Sequence, residues 1–264
     1  MPDFIDQLGR QITLHTVARS IVSTVPSLTE LLSALGLDDE IKGITKFCVH
    51  PAAWHRRKTI VGGTKNLHID SIHQLQPDLI IANKEENTRE QIEELSQNHP
   101  VWVSDINSIG DALAAIKQIG VLTGKSSEAD LLLSQIEAEF KRLENITEWK
   151  RACYLIWKKP FMTIGGDTFI HAVMEKAGYI NVFASQKRYP VASIDEISRL
   201  APEIILLSSE PYPFKETDRL EIEKMFPSAK GVLVDGEMFS WYGSRMKQAP
   251  SYFLNLWKHG LHRK

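Results

Sequence analysis

Ile69-Asp70-Ser71-Ile72-His73-Gln74-Leu75-Gln76-Pro77-Asp78-Leu79-Ile80-Ile81 returns as Ile194-Asp195-Glu196-Ile197-Ser198-Arg199-Leu200-Ala201-Pro202-Glu203-Ile204-Ile205-Leu206, at an offset of 125 residues. Each copy reads as a short amphipathic helix, a turn made by proline and an acid, and a buried strand. Two ordinary strand–helix units could share such turn chemistry. Two related lobes explain it better, because the copies flank a long stretch without strand signals.

Outward from these copies, strand-sized apolar runs alternate with helix-sized periodic runs, the pattern of an α/β protein. Ile21 to Val25 reads as a strand. Pro26 follows, then Ser27-Leu28-Thr29-Glu30, which has the spacing of a capping box. Leu28, Leu31, Leu32 and Leu35 continue at helical spacing, and Gly36 supplies the stop. Thr88-Arg89-Glu90-Gln91 opens another helix that ends before Pro100, and Val101 to Val103 is the next strand. Residues 108–123 and 127–145 form two successive helices around Gly124, the second about 28 Å long at 1.5 Å per residue. A strand from Cys153 to Trp157 and a helix from Thr168 to Ala177, closed by Gly178, resume the alternation. The expected architecture is two α/β lobes joined by one long α-helix, with a ligand cleft between them. The N-terminal lobe spans 1–107, the helical connector 108–146 and the C-terminal lobe 147–264.

Composition narrows the function. Of 264 residues, 43% are hydrophobic, enough to build cores without staples. Two cysteines, Cys48 and Cys153, exclude a disulfide scaffold. A net charge of −2 leaves no basic footprint for nucleic acid, so none is expected as a partner. No run approaches the ~18 apolar residues of a membrane span. Asp3 and Asp6 stand where an export signal would be basic and then apolar, so the chain carries no legible signal.

The stretch from Ile21 to Leu31, then Val61-Gly62-Gly63-Thr64 and the 69–81 segment, resembles the substrate-binding proteins of ABC importers for vitamin B12 and iron chelates. The lead-in at residues 6–14 is similar too, and the likeness runs from about residue 6 to 258. Within that helical-backbone class the cobalamin-binding branch looks closest, through residues 21–36 and the Pro77-to-Asn83 run. The resemblance implies a non-enzymatic receptor, acting as a monomer in the periplasm or at the cell surface. It would capture a corrinoid and hand it to an ABC permease with its ATPase subunits. A ferric siderophore or haem is the alternative ligand. The absent export signal keeps a further reading open, a cytosolic enzyme or ligand sensor that reuses the clamp. The family's acid in each lobe, which docks on permease arginines, falls here on Asp70 and Asp195, with Glu196 the alternative in the second lobe, though it also completes Ser193-x-x-Glu196 as a capping box. Positions where cobalamin binders carry cleft aromatics are Gly63 and Asn83 in this chain.

Open α/β sheets bind ligands at the loops beyond the carboxyl ends of their strands. In the first lobe this selects Phe47, His50, Gly63, Thr64 and Asn83. In the second it selects Trp157, Tyr189, Trp241, Tyr242 and Arg245, within a set of loops rich in aromatics that includes Phe161, Tyr212 and Phe239. Aromatic walls suit a large flat ligand, and Arg245 could clamp a carboxylate or phosphate on it, or else pair with Glu237. Enzyme signals are weak: Gly165-Gly166-Asp167 resembles a phosphate-cradling turn without the rest of a motif, and Cys48 reads as a small buried hydrophobe. The nine histidines offer no helical pair with an intervening acid, so no resident metal or cofactor is expected, and any metal arrives inside the chelate.

Overall fold

The computed structural model describes residues 3–260. Two α/β units appear. Unit 1 takes the described residues through Ile106, then Gly110–Ser134 and Tyr242–Arg245, and unit 2 takes the rest.

Unit 1 runs β1 (Asp3–Ile5), β2 (Gln11–Thr13), β3 (Ile21–Ser23), α1 (Pro26–Ala34), β4 (Ile41–Ile44), α2 (Ala52–Arg57), β5 (Thr59–Ile60), β6 (Gly62–Gly63), β7 (Asn66–Leu67), α3 (Ile69–Leu75), β8 (Leu79–Asn83), α4 (Arg89–Ser96), β9 (Val101–Ser104) and α5 (Ile109–Leu122). Then α6 (Ser126–Lys141) starts in unit 1 and ends in unit 2. Its last turn tightens into a 3-10 helix at Arg142–Asn145, so the predicted 19-residue α-helix is 16 residues long. Gly124, between α5 and α6, is left-handed at φ +69°. The sheet order is β5-β4-β3-β8-β9, all parallel. Every residue of β8 is buried, as a central parallel strand requires.

The free edge of β9 is covered by the turn of the β1–β2 hairpin. Asp6, read as a sign against an export signal, is buried there and accepts from the amides of Leu8, Arg10 and Val103. Arg10 completes the knot with bonds to Asp6 and to the Val101 carbonyl. An edge sealed in this way offers no ladder to another chain.

Unit 2 runs β10 (Lys150–Leu155), β11 (Trp157–Lys158), β12 (Phe161–Met162), α7 (Phe169–Lys176), β13 (Tyr179–Asn181), α8 (Ile194–Leu200), β14 (Ile204–Ser208), α9 (Glu216–Met225), β15 (Lys230–Val234), α10 (Gly236–Ser240) and α11 (Ala249–Asn255). Its sheet is parallel in the order β13-β10-β14-β15. The core of unit 1, β4-β3-β8-β9, has the same winding. The first strand lies second, its successor outside it, and the third and fourth strands follow on the other side.

The 125-residue repeat is therefore structural. It carries α3 onto α8 and β8 onto β14. Gln76 and Ala201, the residues before the two prolines, are both left-handed, at φ 45° and 44°. The acid after each proline has one job in both copies. Asp78 accepts the amides of Arg19 and Ser20 at the mouth of β3, and Glu203 accepts the amide of Arg151 in β10. That backbone bond, aided by Lys150, holds the Glu203 carboxyl below its usual range.

One local expectation fails. Pro26 occupies the first turn of α1, so the helix starts earlier than the capping box requires. Val25 is the N-cap, Ser27 lies inside the helix, and Glu30 reaches elsewhere. The matching box in unit 2 half-forms: Ser193 accepts the Glu196 amide, while the Glu196 carboxylate takes a bond from Gln186.

Candidate functional site

Four loop ends of unit 1 are tied together across its switch point, between β3 and β8. The Thr24 amide and hydroxyl both reach the Ile81 carbonyl at 3.0 Å. The same hydroxyl lies 2.9 Å from Asn87 Oδ1, which also accepts the Asn83 amide. Asn87 Nδ2 donates to the Thr64 carbonyl. Asn83 lies inside this knot, 2% exposed. Its Nδ2 donates to Ser104, and its Oδ1 accepts the amides of Glu85 and Glu86. Thr64 is buried beside it.

Arg245 is likewise occupied. It makes a bidentate pair with Glu30 of α1, at 3.0 and 2.7 Å, and both side chains are mostly buried. Its bidentate carboxylate is that of Glu30, 215 residues away in sequence. Gly243, at φ +105°, lets this segment lie on Leu31 and the Ser27 carbonyl. Tyr242 is buried in the same segment.

What remains open on this end is Phe47, 51% exposed, with Lys46 Nζ 5.1 Å from its ring centroid. Both side chains rest against Gly63. A Cβ there would stand 3.2 Å from Phe47 Cε2 and 3.3 Å from Lys46 Cε. The bare backbone of Gly63 thus forms the floor on which this pair lies. His50 is half-buried nearby in sequence. Cys48 lies beneath, its Sγ between the hydroxyls of Thr29 and Thr45, and burial pushes its thiol up.

In unit 2 the strand-end hydroxyl of Ser208, the repeat partner of Asn83, accepts from Tyr154 and donates to the Glu210 carbonyl. Beyond it the loops carry aromatics. Trp157, on the β11–β12 hairpin, is 40% exposed, and its indole donates to the Lys159 carbonyl. Its ring meets Tyr212 edge-on at 5.6 Å, and Tyr212 meets Phe214 at 4.7 Å. Lys158 anchors the hairpin to α9, with Nζ 2.6 Å from both Asp218 and Glu221. That contact holds the Asp218 carboxyl below its usual range. Tyr189 is half-buried under the Arg188 guanidinium, 5.6 Å from its ring centroid. Trp241 is buried, and its indole donates to Glu210, which Ser240 also caps. Burial, reinforced by Glu237 and Asp235, pushes the Glu210 carboxyl up. Phe239 is fully buried core.

The Gly165 and Gly166 amides donate to the carbonyls of Arg188 and Gln186, so these two are not open to a phosphate. Cys153 is buried, its thiol pushed up to about 12. Among the described residues no group of three or more His, Cys, Asp or Glu is placed to hold a metal ion; His262 lies outside those residues. His73 and His99 pair with each other at 2.9 Å. Asp70 and Asp195 are both exposed in the first turn of their helices. Reading the sequence singled out none of Lys46, Lys158 and Glu210, although Lys158 and Glu210 lie in loops it placed at strand ends. No local pattern marks them, since each acts on a residue brought near by a turn or by the sheet.

Comparison with known proteins fits this geometry. The chain is 27% identical over 193 residues to a vitamin B12-binding protein of Vibrio parahaemolyticus, covering 71% of this chain and 70% of that protein. It is 25% identical over 217 residues to an uncharacterised ABC transporter substrate-binding lipoprotein, YvrC, of Bacillus subtilis, covering 78% and 68%. The crystal structure of the periplasmic haem-binding protein HutB of Vibrio cholerae superposes with a TM-score of 0.78 at 20% identity, covering 90% of this chain and 98% of that one. Residues 21–226 match the periplasmic binding protein family, and the chain belongs to it.

Proposed function

We propose that this protein is the substrate-binding component of an ABC importer and that it captures a metal chelate, with a corrinoid as the first reading. The observation that carries the ligand class is the exposed Trp157 ring, braced by Tyr212 and Phe214 at the loop end of unit 2. A rigid aromatic face matches a large planar ligand and loses little side-chain entropy on binding. The likeness to vitamin B12-binding relatives supports the same choice. An anionic iron chelate, haem or a ferric siderophore, is the second reading, favoured by the exposed Lys46 at the loop end of unit 1.

The chain acts by binding and release, without chemistry on its ligand. Its buried thiols hold no nucleophile ready at neutral pH. It works as a monomer in the periplasm or at the cell surface and delivers its ligand to a permease with ATPase subunits. Asp70 and Asp195, repeat partners with exposed carboxylates, set the register of that docking.

Titration of the purified protein with cyanocobalamin, dicyanocobinamide, haemin and a ferric siderophore, followed by quenching of tryptophan fluorescence, tests the ligand. Saturable binding of a corrinoid at micromolar concentration or below is expected. Binding of none of the four would overturn the reading. Fractionation of the native cells checks the compartment.

A further inference from the structure

Lys46 has an unusual setting. It is exposed, and its ammonium lies 5.1 Å from the centroid of the Phe47 ring, itself open to solvent. Among the described residues no carboxylate lies within ion-pair distance of it. Other lysines at loop ends of this unit are bonded elsewhere: Lys84 to Asp105, and Lys65 to the Glu85 carbonyl. The backbone of Lys46 is fixed, because its amide donates to the Gly62 carbonyl at 2.8 Å and its carbonyl meets His55 Nε2 at 3.1 Å. Gly63 keeps the surface beneath bare, since a Cβ on it would crowd both Phe47 Cε2 and Lys46 Cε. The result is a pre-set pair resting on Gly63, an apolar ring with a cation over one face.

Such a pair fits one kind of ligand edge, a planar apolar body carrying an anionic substituent. The ring covers the apolar edge while the ammonium meets the charge. Resting on the reading that the protein binds a metal chelate, we infer that Lys46 is a specificity residue that contacts an anionic group, phosphodiester or carboxylate, on the periphery of the chelate. Phe47 positions it. Cyanocobalamin carries one phosphodiester, haemin carries two carboxylates, and dicyanocobinamide has the corrin ring without the phosphodiester. The three probes therefore separate charge from ring.

The test compares wild type, Lys46→Met and Lys46→Arg against these probes at low and high salt. Met keeps the apolar stem over Phe47, and an exposed position leaves the melting temperature in place. Lys46→Met should weaken binding of cyanocobalamin or haemin by about tenfold, the loss typical of one charge-assisted contact. It should leave dicyanocobinamide within about twofold, and Lys46→Arg should recover most of the loss. The wild-type advantage should shrink at high salt. Equal losses for cyanocobalamin and dicyanocobinamide, or no loss for any anionic probe, would overturn the assignment while leaving chelate binding intact. Wild-type protein that binds none of the probes removes the underlying reading and this inference with it.

Discussion

The two units share a winding and a repeat, yet their loop ends are built for different work. In unit 1 the strand-end residue Asn83 turns inward and ties Ser104, Glu85 and Glu86, while Thr24, Asn87 and Thr64 close the same knot. Arg245 and Glu30 seal its flank. In unit 2 the equivalent Ser208 does a smaller version of that job, and the space beyond it holds Trp157, Tyr212 and Phe214. Polar networks at buried loop ends fix a backbone. Exposed aromatic faces leave surface for a ligand to cover. Under the proposed function, this difference predicts a division of labour, with stability and a charged edge from unit 1 and apolar contact from unit 2.

The largest effect is expected where the two halves are alike. Replacing Asp70 and Asp195 together by Lys should cut uptake, or permease-stimulated ATP hydrolysis, by at least about tenfold, since charge pairs between proteins couple by ~1.5–7 kcal/mol once desolvated. Ligand affinity and melting temperature should barely move, as both side chains are exposed. Normal transport by the double variant would return them to acids that merely favour helix starts.

Next come two substitutions with opposite signatures. Arg245→Met leaves the Glu30 carboxylate mostly buried without this partner and should cost about 3 kcal/mol of folding stability in a denaturant melt. Its effect on ligand affinity should stay within a few-fold. Trp157→Ala should do the reverse, weakening chelate binding by ~1–3 kcal/mol while denaturant midpoints stay close to wild type. If Arg245→Met lost affinity and kept stability, the division of labour between the units would be wrong.

The smallest effect concerns Glu210. Burial raises its carboxyl pKa in the folded state. Its stabilising contribution is therefore complete below the unfolded carboxyl value of ~4.3 and is lost as pH rises through the raised folded value. Glu210→Gln retains an acceptor for Ser240 and Trp241, so it should raise the melting temperature by a few degrees at neutral pH and change little near pH 4. A variant less stable than wild type at neutral pH would show that the charged form is the one the fold prefers.

Periodicity and turn chemistry are local, and they made most of the fold legible. The 125-residue repeat predicted paired helix–turn–strand units. Gly36, Gly124 and Gly178 lie at left-handed positions beside the helix ends they mark. The helical stretch after β9 contains no strand. The site was less legible for the same reason. A strand-end loop can be located from sequence, but whether its side chain turns inward or out depends on partners far along the chain. Asn83 finds Ser104 and Asn87, Trp241 finds Glu210, and Arg245 finds Glu30 at a separation of 215 residues.

By itself, then, the sequence determined the α/β class, the internal duplication, the position of the strand-end loops and the two acids one repeat apart. Hydrophobic period, proline and glycine act over a few residues, so they can be read without a structure. Only the tertiary structure decided which loop-end residues are free. A hydrogen bond or ion pair needs its partner within about 3 Å, and the chain supplies those partners through the sheet and not through local spacing. Lys46 and Phe47 stayed open because Gly63, on another loop, gives them a floor and no carboxylate of the described residues reaches Lys46. Arg245, alike in chemistry, was closed by Glu30.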